Sequence, residues 1–171
     1  MKNKKILFII APLAIIIVVA FFGWLVAISG EDESPVEVLS QGVLSAQESK
    51  FDFGTISMQN GKVEYDFKVK NEGEEPVAIN KVYTSCMCTT AFFIDPDGKK
   101  HGGFGMPGHG SSKTPSGIVV GPGQEATVKA VFDPAAHGPS GVGLAQRSVF
   151  LETNSTQSPM MEFNFDAVVT R

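Results

Sequence analysis

The chain has 171 residues, 18 acidic against 14 basic side chains and a formal net charge of −4. Without the three lysines at positions 2, 4 and 5 that charge becomes −7, so the remainder has no electrostatic pull on phosphate backbones and nucleic-acid binding is excluded as a reading.

The first element is a membrane-spanning pattern. Lys2, Lys4 and Lys5 precede an uncharged run from Ile6 to Ile28, and Glu31, Asp32 and Glu33 follow it. At ~1.5 Å per residue the run gives about 35 Å of helix, enough for a hydrocarbon core of about 30 Å with some tilt. Lysines before the run and acids after it predict a cytoplasmic N-terminus (1–5), a single-pass anchor (6–28) and an extracytoplasmic remainder. Ala27-Ile28-Ser29 before Gly30 also fits a signal-peptide cleavage site. The run is longer than the ~7 to 15 residues of a signal core, which favours an uncleaved anchor. Phe21, Phe22 and Trp24 read as lipid-facing residues of this span.

Residues 29–47 mix acids, serine and Pro35 without sustained periodicity and predict a tether, with room for a short helix or strand over Val36 to Leu44. From Glu48 to Arg171 the chain is of ordinary size for one domain. Val63, Tyr65, Phe67 and Val69 alternate with Glu64, Asp66, Lys68 and Lys70, the period of a strand with one buried face. Strands are also predicted at 50–53, 77–83, 91–94, 118–120, 126–132, 147–152 and 160–169. They are punctuated by Gly54, Asn60-Gly61, Glu72-Gly73, Pro96-Asp97-Gly98, Gly121-Pro122-Gly123, Gly138-Pro139 and the stretch 154–159. The expectation is an all-β domain, an antiparallel β-sandwich of about seven strands, preceded by one N-terminal transmembrane helix. Residues 97–117 are so rich in glycine, serine and proline that they predict an inserted loop.

Several motifs occur in one order: Phe51-Asp52-Phe53-Gly54-Thr55-Ile56, the Asn71-Glu72-Gly73 turn with Pro76 and Ile79, Ser85-Cys86-Met87-Cys88-Thr89-Thr90, Gly121-Pro122-Gly123, Phe132-Asp133 and Thr153-Asn154. Together they resemble the bacterial domain-of-unknown-function family 1573 over Phe51 to Asn154. The resemblance implies an exported immunoglobulin-like sandwich, similar to Hydin and major-sperm-protein type domains, and binding or scaffolding rather than catalysis. Met87 departs from it, since the family usually has glycine between the cysteines.

Cys86-Met87-Cys88 is the sharpest chemical feature. In an extended chain, residues i and i+2 share a face at ~6.6 Å between Cα atoms, so both sulfurs point one way. Two readings follow. Either the pair is structural, a local disulfide or small core residues, or it holds a soft ion, with His101, Met106 and His109 of the glycine-rich loop completing a copper(I) or zinc site. The first is favoured, because two cysteines without a second pair are a weak metal signal. The pair also admits thiol–disulfide exchange, although no thioredoxin-like βαβ pattern surrounds it. No cofactor beyond copper or zinc is expected.

The remaining motifs carry less. Gly103-Phe104-Gly105-Met106-Pro107-Gly108 matches a dinucleotide fingerprint in form only, since Pro107, Gly108 and Gly110 deny the helix that would present amides to a pyrophosphate. His137, before Gly138-Pro139, reads as a surface residue in a turn, and Asn154-Ser155-Thr156 is a formal glycosylation acceptor. The leading expectation is a membrane-tethered, extracytoplasmic, non-enzymatic module that binds a protein or another envelope component. The alternative is a soft-metal or thiol-redox module built on Cys86 and Cys88.

Overall fold

The computed structural model describes Phe21, residues 38–109 and residues 117–171. Apart from Phe21, the predicted anchor lies outside the described residues, as does the tether up to residue 37. Among the described residues no helix is long and apolar enough to cross a membrane. Contacts divide the chain into Met1–Val36 and Glu37–Arg171, and the β-structure belongs to the second unit.

Ten strands are described: β1 (Leu44–Ala46), β2 (Lys50–Ser57), β3 (Val63–Asn71), β4 (Val77–Thr84), β5 (Thr89–Ile94), β6 (Lys100–Phe104), β7 (Val119–Val120), β8 (Glu125–Phe132), β9 (Gly143–Thr153) and β10 (Met160–Thr170). They form two five-stranded sheets, β1-β3-β8-β5-β6 and β2-β10-β9-β4-β7. The described residues form a two-sheet β-sandwich, as expected, but with ten strands rather than about seven. It is also not wholly antiparallel, because β2 runs parallel to β10.

Alternation builds the core. Phe67 and Val69 of β3 turn inward, buried to within 1% of full enclosure, while Glu64, Asp66, Lys68 and Lys70 stay exposed. From the facing sheet Phe163 meets Phe67 with ring centroids 5.1 Å apart, and Phe165 meets Phe132 at 5.5 Å. Each such buried side chain contributes roughly 2–3 kcal/mol by its removal from water. On the outer face of the first sheet Lys129 Nζ lies 2.8 Å from Glu64 and 3.1 Å from Asp66. The hydrogen bond that Lys129 donates to Glu64 leads in raising the lysine above its ordinary value.

Two stretches differ from their sequence reading. The end of the tether is part of the domain: β1 pairs with β3, and Ser40 bridges to Ser155, its amide donating to Asn154 O at 2.9 Å. Leu44 is buried. The glycine-rich stretch is not all loop either, since Lys100–Phe104 pairs with β5 around a register shift at Ala91/Phe92. Gly102 and Gly103 have φ of 125° and 83°, and a Cβ on Gly102 would stand 2.7 Å from the Phe104 ring. Glycine here makes a bulged edge strand possible, and Phe104 is buried beneath it.

Asn71, at the end of β3, joins three segments. Its Oδ1 accepts from Val43 N and Gly73 N at 3.2 and 3.0 Å, and its Nδ2 donates to Glu75 O and Val120 O at 2.8 and 2.9 Å. The side chain is fully buried with all four hydrogen-bonding positions filled. The Asn71-Glu72-Gly73 turn is therefore fastened to the incoming chain and to β7.

Asp95 closes the β5–β6 hairpin. Its Oδ1 accepts from Asp97 N and Lys99 N at 3.0 and 2.8 Å, and His101 Nε2 donates to its Oδ2 at 2.7 Å. The His101 hydrogen bond leads in holding this carboxyl below its ordinary value. A depressed carboxyl adds stability that is complete above its unfolded value and disappears as pH falls through the folded one. Acidification through and below the ordinary aspartate range, about pH 4, is therefore expected to speed amide exchange in β6 relative to β3. Asp95→Asn, which cannot titrate, is expected to remove this pH dependence while weakening the hairpin at neutral pH. Equal acid sensitivity in both proteins would dismiss the role of Asp95.

Candidate functional site

Cys86 and Cys88 lie in the crossing from β4, in the second sheet, to β5, in the first. The crossing is tied at both sides. Ser85 N donates to Ser148 O at 3.0 Å and Ser148 N to Ser85 Oγ at 2.9 Å, which clamps the exit from β4 to β9. On the far side Thr89 N donates to Cys86 O at 3.1 Å, and Thr89 pairs with Phe132 in β8. The buried hydroxyl of Thr84 donates to Cys86 O at 2.9 Å.

Within this turn the cysteines are joined as a disulfide with Cα atoms 5.3 Å apart, the local pairing named among the expectations for this motif. Bending the turn brings the Cα atoms closer than the ~6.6 Å of an extended chain and into disulfide range. Met87 projects outward, 55% exposed. No described non-glycine residue has a positive φ, so Met87 sits between the cysteines without entering the left-handed region.

The two sulfurs have different surroundings. Cys88 is 2% exposed, whereas Cys86 is only partly covered. Arg147 Nε donates to Cys88 Sγ at 3.0 Å, and the Cys88 amide donates to Cys86 Sγ at 3.3 Å. His137 Nε2 lies 3.2 Å from Cys86 Sγ. From the sequence His137 reads only as a surface residue in a turn, which it is, and Arg147 carries no signal; pairing across the sheets brings both to the sulfurs. The Thr89 to Phe132 register sets Asp133 beside Cys88, and Asp133 N donates to Cys88 O at 2.9 Å. Asp133 Oδ1 then accepts from Ala135 N, and Gly138 N donates to Ala135 O, a tight turn that presents His137. The Thr84 to Val149 register brings Arg147 past the end of β4. Phe132-Asp133, already conspicuous beside the cysteine motif, was the available signal for this turn.

The ligand atoms of Cys86, Cys88 and His137 lie within 4.8 Å of one another. As a disulfide the pair has no thiolate to offer an ion. Reduced, the three would be a soft donor set of the kind copper(I) takes, one short of a zinc tetrahedron. The loop residues predicted to complete such a site are placed differently. His101 pairs with Phe93 across β5–β6 and is engaged by Asp95. Phe93 is five residues beyond Cys88, about 16 Å along a strand. Met106 follows Gly105, whose carbonyl accepts from Thr84 N at 3.2 Å, so the loop does start at the cysteine end. His109 is exposed, its amide donating to Met106 O, and residues 110–116 lie outside the described residues.

Hollows of about 270, 200 and 130 Å³ lie on the outer face of the first sheet, all bordered by Lys68 and none by the cysteines. The formal glycosylation acceptor is already engaged: Asn154 Nδ2 donates to Val38 O at 2.7 Å, its Oδ1 accepts from Ala78 N at 2.8 Å, and Ser155 is buried.

Residues 44–99, β1 through the β5–β6 turn with both cysteines, match the family described as Protein of unknown function (DUF1573). No curated protein matches the chain. A protein of unknown function from Porphyromonas gingivalis W83 is similar at 16% identity and a TM-score of 0.54, over 78% of this chain and 51% of that one. This chain therefore spans about half the length of that relative, and the likeness is one of fold. The ASH / PapD-like domain of human CEP192 aligns at 15% identity and a TM-score of 0.42, over 75% of this chain and 85% of that one. The periplasmic chaperone SfaE aligns at 7% and 0.40, over 75% and 59%.

Proposed function

We propose that the chain is a membrane-tethered, extracytoplasmic immunoglobulin-like module that binds another protein of the cell envelope through the outer face of its second sheet. The carrying observation is apolar exposure among polar neighbours. Leu144 and Val168 face each other across β9 and β10 and are 68% and 44% exposed, with Val142, just before β9, at 45%. The adjoining outward positions on the same two strands are polar, with Gln146 opposite Asp166 and Ser148 opposite Asn164, and apolar Phe150 and Met160 lie farther along. Apolar side chains adjoining one another inside a polar rim are the composition of a protein contact, whereas scattered exposed ones need no explanation. The lysines before residues 6–28 and the acids after them support the extracytoplasmic placement. In this reading the domain holds its partner through this face.

A photo-crosslinking side chain at Leu144 in living cells is expected to give one discrete protein adduct, and the same group at exposed Gln59 none. Val168→Lys, at a position exposed enough to leave stability within about 0.5 kcal/mol, is expected to reduce that adduct roughly tenfold. Equal adducts from both positions, or none from Leu144, would remove the basis for this face.

A further inference from the structure

We infer that the Cys86–Cys88 turn is a thiol–disulfide exchange site for exposed thiols of partner proteins, with Cys86 the sulfur that is attacked and Cys88 the sulfur that leaves. This inference is independent of the apolar face, since it stands on the cysteine turn alone.

The asymmetry of the two sulfurs carries it. An incoming thiolate needs access to one sulfur, and the other sulfur leaves most easily when it is stabilised as an anion. Cys86 is the partly exposed member, and Cys88 is 2% exposed. The buried one has the cation: Arg147 Nε at 3.0 Å already donates to Cys88 Sγ. A guanidinium at hydrogen-bond distance, in surroundings largely shut off from water, lowers the cost of a thiolate there, and a charge-assisted bond is about twice as strong as a neutral one. A structural disulfide has no need of a cation beside one sulfur and an imidazole beside the other.

The exchange balances as follows. A partner thiolate attacks Cys86 Sγ, a bond forms between the two sulfurs, and the Cys86–Cys88 bond breaks with its electron pair passing to Cys88 Sγ beside Arg147. A second thiolate of the partner attacks the partner sulfur of this mixed disulfide, and the electron pair of that bond passes to Cys86 Sγ. His137 Nε2, 3.2 Å from Cys86 Sγ, and the Cys88 amide at 3.3 Å are placed to stabilise it. The partner dithiol is oxidised by two electrons to a disulfide, Cys86 and Cys88 are reduced, and the two protons given up by the partner thiols go to the new cysteine thiols or to solvent.

The test uses the full-length, oxidised protein in detergent with glutathione as the probe thiol, quenched by acid and alkylation, with the adduct located by mass spectrometry. The expected result is glutathione on Cys86 and the alkylating group on Cys88. Arg147→Met is expected to slow adduct formation by about tenfold or more and to raise the pH at which Cys88 is alkylated, while Arg147→Lys restores part of both. A merely structural arginine would change the unfolding midpoint and leave the adduct site and the alkylation profile alone. Glutathione on Cys88, an even distribution, no adduct at all, or an Arg147→Met protein that folds and reacts at the wild-type rate would each overturn the assignment. Should Arg147→Met fail to fold, the adduct position in the wild-type protein still decides it.

Discussion

A chain starting at Glu48, the domain boundary suggested by periodicity, is expected to unfold at a clearly lower urea concentration than one starting at Glu37 and to aggregate. Residues 38–46 bury Leu44, a contribution of about 2 kcal/mol. They also supply hydrogen bonds of about 1 kcal/mol each. Leu44 N donates to Ser158 Oγ at 2.9 Å, Thr156 N to Ser40 O at 2.9 Å, and Ser155 Oγ to Gly42 O. Ordering these residues costs conformational entropy that offsets part of this gain. Removing them also bares the edge of β3, which β1 otherwise covers, and an open edge is a template for pairing with other chains. Urea unfolding and light scattering of the two chains check this, and equal midpoints without aggregation would return residues 38–46 to the role of a loose tether.

The second large effect is expected at Asn71. Asn71→Ala removes four hydrogen bonds from a fully buried position and leaves their partners unmet, for a loss of roughly 3 kcal/mol or more. Asn71→Asp separates shape from chemistry. It has nearly the same outline but cannot donate to Glu75 O and Val120 O, and it introduces a carboxylate with no cation to meet it. The aspartate is therefore expected to be at least as destabilising as the alanine, and more so at neutral than at acid pH. A midpoint for Asn71→Asp close to wild type would mean that packing alone holds this turn.

These two positions mark the limits of reading the chain without coordinates. Strands with strict alternation, such as Val63–Asn71 and Glu125–Phe132, were legible because one buried face imposes period two. Leu44–Ala46 was not, since three residues cannot show a period, and the segment gains its order from β3 and the loop after β9. Lys100–Phe104 has two glycines where side chains would alternate, so pairing with β5 alone makes it a strand. The parallel pairing of β2 with β10 joins the two ends of the domain, a contact that no local pattern encodes. The candidate site divides in the same way. Cys86 and Cys88 could be found by residue type and spacing, but His137 and Arg147 are 51 and 59 residues away from the sulfurs they approach. Their arrival depends on strand register, which also carries His101 away to Asp95.

Both the partner-binding face and the exchange site presuppose a domain outside the cytoplasm, where a disulfide persists and envelope proteins are at hand. The most direct measurement is a topology reporter fused after Arg171 in a bacterial host, using in parallel an enzyme active only outside the cytoplasm and one active only within it. Activity of the first and silence of the second is the predicted result. Activity of the second alone would place residues 38–171 in a reducing compartment and contradict the account.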